Sequence, residues 1–362
     1  MSQVTITLLF LLFAIVMFMW EKIPLGLTSM IVCVGLVVTG VLDWKTAFSG
    51  FIDSNVILFV AMFIVGGALF ETGMANKIGG VVTHFAKTEK QLIVAIMVIV
   101  GVMSGFLSNT GTAAILIPVV IGIAAKSGYS RSRLLMPLVF AAAMGGNLSL
   151  IGAPGNMIAQ SQMESIGLKF GFFDYAKVGV PILIVGIIYF ALIGYKFLPN
   201  KTDASGDSIY DEVQDFSNVP KWKQTLSLAA ALDQTGAGEL IADKVIGLLG
   251  KNPSPYVLTF VIFMLCCVLT NFMSNTATTA LMAPIAVSIA QGMGADPSAV
   301  LMACVIGGSC AYATPIGMPA NTMVVTAGGY TFKDYAKAGV PLILVSTVVS
   351  MILLPIFYPF FP

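Results

Sequence analysis

The sequence predicts an all-α polytopic membrane protein built on an inverted repeat, with two re-entrant hairpins and two broken helices. Three observations support this fold class. First, 57% of the 362 residues are hydrophobic, 10% are charged and the mean hydropathy is +0.95, a composition that a soluble protein could not solvate. Second, apolar runs are close to the ~20 residues that a helix needs to cross ~30 Å of hydrocarbon. Third, several polar and Gly/Pro motifs occur twice in the same order, as in proteins built from two related halves.

The first half, residues 1–198, opens with three apolar segments at 4–20, 25–42 and 55–70. The first of them lacks a basic leading region and a small-residue cleavage site, so we interpret it as a retained helix. The mixed, Lys-containing stretch 71–90 suits a helix that lies at the membrane surface.

Each half then contains a predicted hairpin with the tip sequence Ser-Asn-Thr. The first tip lies between apolar arms at 91–107 and 111–125, and the second lies within 256–290. The arms of the first hairpin are slightly short for a full crossing. A polar turn at membrane depth is tolerated only where protein or water covers it, so we expect re-entrant hairpins.

A helix interrupted by Gly and Pro follows each hairpin. The first covers 134–166 with its break at 145–156, and the second covers 298–326 with its break at 307–321. Gly and Pro also occur in ordinary kinked membrane helices. Two breaks at corresponding positions, each next to a hairpin tip, favour a functional role.

The charges that flank the hairpins predict opposite orientations. Basic residues surround the first hairpin on both sides, whereas the second has fewer before it and an acidic residue after it: Lys77, Lys87, Lys90, Lys126, Arg131 and Arg133 against Lys244, Lys251 and Asp296. Because cytoplasmic loops are enriched in Lys and Arg, we expect the first hairpin to open to the cytoplasm and the second to the outside. The polar residues 199–224 are then a cytoplasmic linker.

The second half, 225–362, is shorter than the first. Its repeat begins at about Thr225, which corresponds to about Met62, so the first sixty residues have no counterpart. With the linker inside and the second hairpin open to the outside, an odd number of crossings should separate them. Residues 225–232 span only ~12 Å as a helix. We therefore predict a missing segment near Gln224/Thr225, through deletion, renumbering or disorder; the alternative is a genuinely minimised variant.

The tips and the breaks contain hydroxyl, amide and backbone groups but no Asp, Glu, Lys, Arg or His. Carbonyl and hydroxyl oxygens suit a hard cation such as Na⁺, and helix N-termini suit anions. Without an acid, a base or an activated nucleophile, an enzyme is disfavoured. The net charge of +1 gives no case for nucleic acid, and the five cysteines lack metal-ligand spacing. The residues favour a transporter with its site between the two halves.

At this point the chain resembles a known family. The paired Ser-Asn-Thr tips, the break sequences Gly145-Gly146-Asn147-Leu148-Ser149 and Ala313-Thr314-Pro315, and the Pro-x-Asn endings are similar to the divalent anion/sodium symporters (DASS, INDY-type) of the ion transporter superfamily. The similarity covers 1–223 and 226–362. It implies a Na⁺-coupled carrier of di- or tricarboxylates (succinate, malate or citrate-like) that works by elevator-type alternating access. It also implies a homodimer in the lipid bilayer, multi-pass, in the inner (plasma) membrane of a bacterial cell.

The resemblance also assigns roles to residues. The substrate would contact both tips, with three residues of the breaks lining the cavity: Ser108, Asn109, Thr110, Ser274, Asn275 and Thr276, together with Ser149, Thr314 and Pro315. One Na⁺ would be held by Ser104, Ser108, Asn109 and Leu148, and another by Thr270, Met273, Asn275 and Ala313. Two departures from the family pattern are Ser149, where Thr is usual, and Gly155 in place of the second Pro of a Pro-Pro-Asn ending.

Three alternatives stay open. The same site could exchange carboxylates without Na⁺, or carry another small anion such as sulfate. The chain could also be a transport-defective truncated scaffold. The particular carboxylate and the Na⁺ stoichiometry are not specified by these motifs.

Overall fold

The computed structural model describes residues 2–20, 25–48, 88–201 and 254–361, which form helices and loops without β-strands. The α-helices in chain order are α1 (Gln3–Trp20), α2 (Leu25–Val38), α3 (Trp44–Ala47), α4 (Glu89–Leu107), α5 (Asn109–Ser127), α6 (Arg131–Gly145), α7 (Pro154–Ser165), α8 (Ala176–Leu192), α9 (Pro255–Thr270), α10 (Asn275–Gly292), α11 (Ser298–Gly308), α12 (Pro319–Gly328) and α13 (Phe332–Phe357). The segment at 55–70, nearly all of the surface helix at 71–90 and the junction at Gln224/Thr225 lie outside the described residues.

The first hairpin consists of α4 and α5, and its arms are longer than expected. A capping box between Thr88 and Gln91 starts α4, and Gly128 in the left-handed conformation ends α5. Only Ser108 is non-helical between the two helices, so each arm has 19 residues. Each is therefore long and apolar enough to cross a membrane, and the expectation of short arms was wrong. Arm length does not distinguish a re-entrant hairpin from a crossing pair.

Both predicted breaks are present. In the first half, α6 ends at Gly145, a 3₁₀ turn follows at Gly146–Leu148, and α7 starts at Pro154. In the second half, α11 ends at Gly308 and α12 starts at Pro319. Pro suits the first position of a helix because its missing N–H would be unpaired there in any case.

The hairpin, the broken helix and the long final helix recur in the same order in both halves, and the halves pack into each other. α7 contacts α10 and α11 of the second half, while α12 contacts α5 and α6 of the first. At the centre, the Phe140 ring lies 5.4 Å from Tyr312 and 6.0 Å from both Phe190 and Tyr335. The two hairpins and the two breaks therefore share one core.

The helices α1–α3 form a separate apolar cluster against the second half. Leu36, Val32 and Leu42 are buried there together with Phe332, and Ile316 packs against them. On the outside of the core, α13 exposes an apolar stripe: Val340, Leu344, Val348, Ile352 and Ile356. Their spacing of four residues puts them on one helix face. Within the described ranges, α4, α5 and α13 are long and apolar enough to cross a bilayer. These helices and the exposed face of α13 fit a membrane protein.

Candidate functional site

The first tip is a one-residue turn that exposes the N-terminus of α5. Ser108 has a positive φ of 69°, which is uncommon for a residue with a side chain. Its Oγ accepts a hydrogen bond from the Gly111 N–H at 3.3 Å and so caps α5. The remaining free N–H groups of this first turn make it a favourable place for an anion.

Directly behind this tip lies a group of oxygen atoms. Ser104 Oγ donates to the carbonyl oxygen of Ala142 at 2.6 Å. The amide end of Asn109 faces the carbonyl oxygens of Ala142 (3.0 Å) and Gly152 (3.2 Å) and also Ser104 Oγ (3.0 Å). The Asn109 amide can satisfy these oxygens in either of two orientations. In one, its nitrogen donates hydrogen bonds to them. In the other, its oxygen faces them, and a cation bound between the four oxygens would be coordinated by all of them. We call this group the first oxygen cluster.

The second tip is a longer turn, residues 271–274, and it has a similar group of oxygen atoms behind it. Thr270 Oγ1 lies 2.5 Å from the carbonyl oxygen of Gly308 and 2.7 Å from Asn275 Oδ1. The hydroxyl has one proton, so it donates to one of these acceptors and presents a lone pair to the other. Ser274 Oγ accepts from the Ala277 N–H at 3.1 Å and caps α10. Thr270, Asn275 and the Gly308 carbonyl form the second oxygen cluster.

In each break, the side-chain amide of one buried asparagine hydrogen-bonds to the non-helical backbone. Asn156 Nδ2 donates to the carbonyl oxygens of Gly146 (2.9 Å) and Ser149 (2.7 Å). Asn321 Nδ2 donates in the same way to Ala311 (2.6 Å) and Thr314 (2.9 Å). Since a helix break leaves carbonyls without helical partners, these amides stabilise the irregular backbone next to each tip.

A tyrosine supports each asparagine in turn. Tyr175 Oη donates to the Asn156 carbonyl at 2.8 Å, and Tyr335 Oη donates to the Asn321 carbonyl at 2.7 Å. Sequence reasoning missed these four supporting residues. The repeated Pro-x-Asn and Asp-Tyr-Ala-Lys motifs contain them and could have identified them.

The break residues that were expected to line the cavity are buried. Ser149 Oγ donates to the carbonyl oxygen of Gly105, and Thr314 Oγ1 donates to that of Asn271 at 2.6 Å. Pro315 is buried as well. In this structure the two hydroxyls tie each break to the neighbouring hairpin arm, so these residues support the site from behind.

The other expected site residues lie at or behind the tips. Thr110 is partly exposed and Thr276 is exposed in the first turns of α5 and α10, while Met273 is buried. Leu148 packs on the hairpin arm at Gly105, where an added Cβ would lie 2.9 Å from Leu148 Cβ. Ala313 is fixed by its N–H, which donates to Asn271 Oδ1 at 2.9 Å.

One contact joins the first break directly to the second hairpin. A Cβ added at Gly155 would lie 2.8 Å from Thr279 Oγ1 and 3.8 Å from the Asn275 carbonyl oxygen. A side chain at this position, one of the two departures from the family pattern, would therefore force the Thr279 hydroxyl to shift. The structure thus brings a tip of one half against the break of the other.

None of the residues that form the two clusters has a charged side chain. Among the described residues, no group of three or more His, Cys, Asp or Glu side chains could hold a metal ion. Asp174, in the repeated Asp-Tyr-Ala-Lys motif of the first half, is partly exposed. Burial opposes its ionisation, but hydrogen bonds from Lys177 and the Gly171 N–H lower the pKa of Asp174 below its usual 3.8.

Comparison with known proteins identifies the family. The profile of the citrate transporter family (CitMHS) matches residues 15–226 and 225–361, which is almost the whole chain in two segments that meet at the predicted junction. An uncharacterized transporter of Haemophilus influenzae is 25% identical over 414 residues, covering 94% of this chain and 88% of that protein. Those 414 aligned positions exceed the 362 residues of this chain, so the relative contains residues without a counterpart here.

Two further relatives show the range of similarity. The uncharacterized transporter YfbS of Escherichia coli is 35% identical over 184 residues, which are 50% of this chain and 30% of that protein. The sodium-dependent dicarboxylate transporter SdcS of Staphylococcus saprophyticus is 22% identical over 433 residues, covering 94% and 83% of the two chains. This chain thus matches less than a third of the length of the E. coli relative. From the two-segment family match, the chain belongs to the citrate transporter family, whose members are membrane transporters and not enzymes.

Proposed function

We propose that this protein carries a di- or tricarboxylate across the bacterial plasma membrane together with Na⁺, with one sodium ion at each oxygen cluster. The observation that carries this proposal is the crowding of oxygen atoms behind each tip. Three oxygens face the Asn109 amide, and the Thr270 hydroxyl lies within 2.7 Å of two acceptors although it has one proton.

With the Asn109 amide oxygen turned toward them, these oxygens would coordinate a cation in place of the hydrogen bonds that the amide nitrogen otherwise donates. Hydroxyl, amide and carbonyl oxygens are the ligands that hard cations prefer, and irregular backbone at membrane depth commonly binds Na⁺ in transporters. The relative SdcS is a sodium-dependent transporter by name, which supports sodium as the cation. The first cluster would be completed by Ser108 and Leu148, and the second by Met273 and Ala313.

The substrate would lie between the tips, at the N-termini of α5 and α10. The partial positive charge of a helix N-terminus favours an anion, and the hydroxyls of Thr110 and Thr276 stand in the first turn of each helix. Two sodium ions next to the site offset the charge of a dicarboxylate at low dielectric. The substrate and the ions would then stabilise each other's binding.

The shared core supports movement of the site as one body. The hairpin and broken helix of each half pack on those of the other, so a relative displacement of the halves would break this shared packing, and the two clusters are expected to move together. We infer an elevator-type motion of this unit against a static scaffold, in a homodimer, with the two halves in opposite orientations.

We also infer that the chain lacks the first crossings of its second half. Ile316 and Phe332 pack against α1–α3, whereas the residues at the corresponding repeat positions, Ile151 and Phe172, are 46% and 40% exposed. A second set of such helices would cover them. The mass of the intact protein tests this directly: a 38.1 kDa product that transports would contradict it.

The transport proposal is tested by uptake of labelled succinate and citrate into proteoliposomes, with a Na⁺ or a choline gradient. We expect uptake only with Na⁺. Asn109→Ala and Asn275→Ala should each abolish it, while the exposed Asn200→Ala serves as the matched control and should leave it unchanged. Equal uptake in choline would refute sodium coupling, and no uptake of either acid would refute the substrate class.

A further inference from the structure

The two oxygen clusters are supported differently, and the difference centres on Asn271. This residue follows the last residue of α9 and is only 4% exposed. Its backbone carbonyl accepts the Thr314 hydroxyl, just as the Gly105 carbonyl accepts the Ser149 hydroxyl. Asn271 therefore occupies in the second half the place that Gly105 occupies in the first.

The Asn271 side chain connects the hairpin arm to the second break through three hydrogen bonds. Its Nδ2 donates to the carbonyl oxygens of Cys267 (2.6 Å) and Cys310 (3.2 Å). Its Oδ1 accepts from the Ala313 N–H at 2.9 Å. One amide thus fixes the C-terminus of α9 and the peptide group that precedes the Ala313 side chain.

The first half solves the same problem by packing. Gly105 has no side chain, and the Leu148 side chain fills the space next to it, with its Cβ 2.9 Å from where a Cβ of residue 105 would be. The pair is Gly105 and Leu148 in the first half and Asn271 and Ala313 in the second. In the first half the small residue is on the hairpin arm and the large one on the break. In the second half the large residue is on the arm and the small one on the break.

We propose that Asn271 is a positioning residue for the second sodium site, which it controls by fixing the peptide of Ala313. This inference rests on the proposed function, since it assigns Asn271 a role at one of the two proposed sodium sites. Both ends of the Asn271 amide hydrogen-bond to the backbone, so we assign it the role of positioning Ala313 and not that of an ion ligand. Groups that orient a metal's ligands typically change its affinity 10–100-fold when they are replaced.

The first variant is Asn271→Leu, which keeps the branched shape at Cγ but removes all three hydrogen bonds. We expect the NaCl concentration that half-maximally stabilises the detergent-solubilised protein against heat to rise about tenfold or more. Choline chloride controls for ionic strength. In proteoliposomes at saturating Na⁺, the KM for the carboxylate should stay within about twofold of wild type.

The second variant is Asn271→Gly combined with Ala313→Leu, which copies the packing of the first half. It should regain sodium affinity to within about threefold of wild type, whereas Asn271→Gly alone should not. This pair keeps the test independent of folding, because the double variant restores the volume that the single variant loses.

Suppose that NaCl stabilises the wild type, and that the NaCl concentration for half-maximal stabilisation is the same in Asn271→Leu. That result would overturn this inference and leave the proposed function intact. A parallel loss of sodium affinity, substrate KM and sodium-free stability would also overturn it, since that pattern indicates a purely structural residue. A wild type without any sodium dependence would overturn the proposed function itself, and the inference with it.

Discussion

Replacing the asparagine that holds the first break should cost far more stability than replacing the asparagine nine residues before it. Asn156 and Asn147 are both fully buried. Asn156 donates to two backbone carbonyls, whereas neither side-chain polar atom of Asn147 has a hydrogen-bond partner among the residues that the structure describes. Asn156→Leu and Asn147→Leu introduce the same change of shape and chemistry at both positions.

The expected difference follows from the hydrogen bonds. A buried polar group that loses its partner costs about 1–3 kcal/mol, so the two carbonyls released by Asn156→Leu cost about 2–6 kcal/mol in the free energy of unfolding. For Asn147→Leu the hydrogen-bond contribution is about zero or favourable, because an unpaired buried amide is replaced by an apolar group.

Denaturant titration of the detergent-solubilised protein measures both free energies against wild type. Equal destabilisation by the two variants would refute the view that Asn156 holds the break through its hydrogen bonds. A larger loss of stability in Asn147→Leu than in Asn156→Leu would show that Asn147, and not Asn156, stabilises the break.

Three other predictions test neighbouring features. Tyr175→Phe and Tyr335→Phe each remove one buried hydrogen bond to the asparagine of a break, so each should lower the free energy of unfolding by about 1–2 kcal/mol; strongly unequal values would contradict the equivalence of the halves. Gly155→Ala should reduce uptake because its Cβ would meet Thr279 Oγ1 at 2.8 Å, and adding Thr279→Ala should restore it; no rescue would place the cause elsewhere. Asp174→Asn should destabilise the protein at neutral pH, and the gap to wild type should close as pH falls below the usual 3.8 and through the lowered pKa of Asp174; a gap that persists in acid would show that the carboxylate charge is not its origin.

Much of the fold could be predicted because the motifs that end and restart the broken helices occur in both halves of the repeat. Gly145 and Gly308 end helices and Pro154 and Pro319 restart them, so paired Gly and Pro motifs located both breaks. The arm lengths of the first hairpin were missed, since a single residue, Ser108, makes the whole turn with a positive φ. No local pattern predicts that a serine will adopt this conformation.

Among the site residues, too, some could be predicted from local sequence and others could not. Residues on the tips are identified by the tripeptide itself, but the supporting contacts join segments that are far apart in the chain. The Asn271 amide meets Ala313, 42 residues away, and the Ser149 hydroxyl meets Gly105, 44 residues away. A single sequence contains no information on which of these polar groups face each other, so the burial of Ser149 and Thr314 and the role of Asn271 required the structure.

Equilibrium binding of radioactive ²²Na⁺ to the purified protein tests the central claim most directly. The two oxygen clusters predict two sodium ions per chain at saturation. Ser104→Ala and Thr270→Val each remove the hydroxyl of one cluster, so each variant should bind one ion, and the double variant should bind none. A wild-type protein that binds no sodium, or single variants that both still bind two ions with wild-type affinity, would contradict the assignment of these clusters as sodium sites.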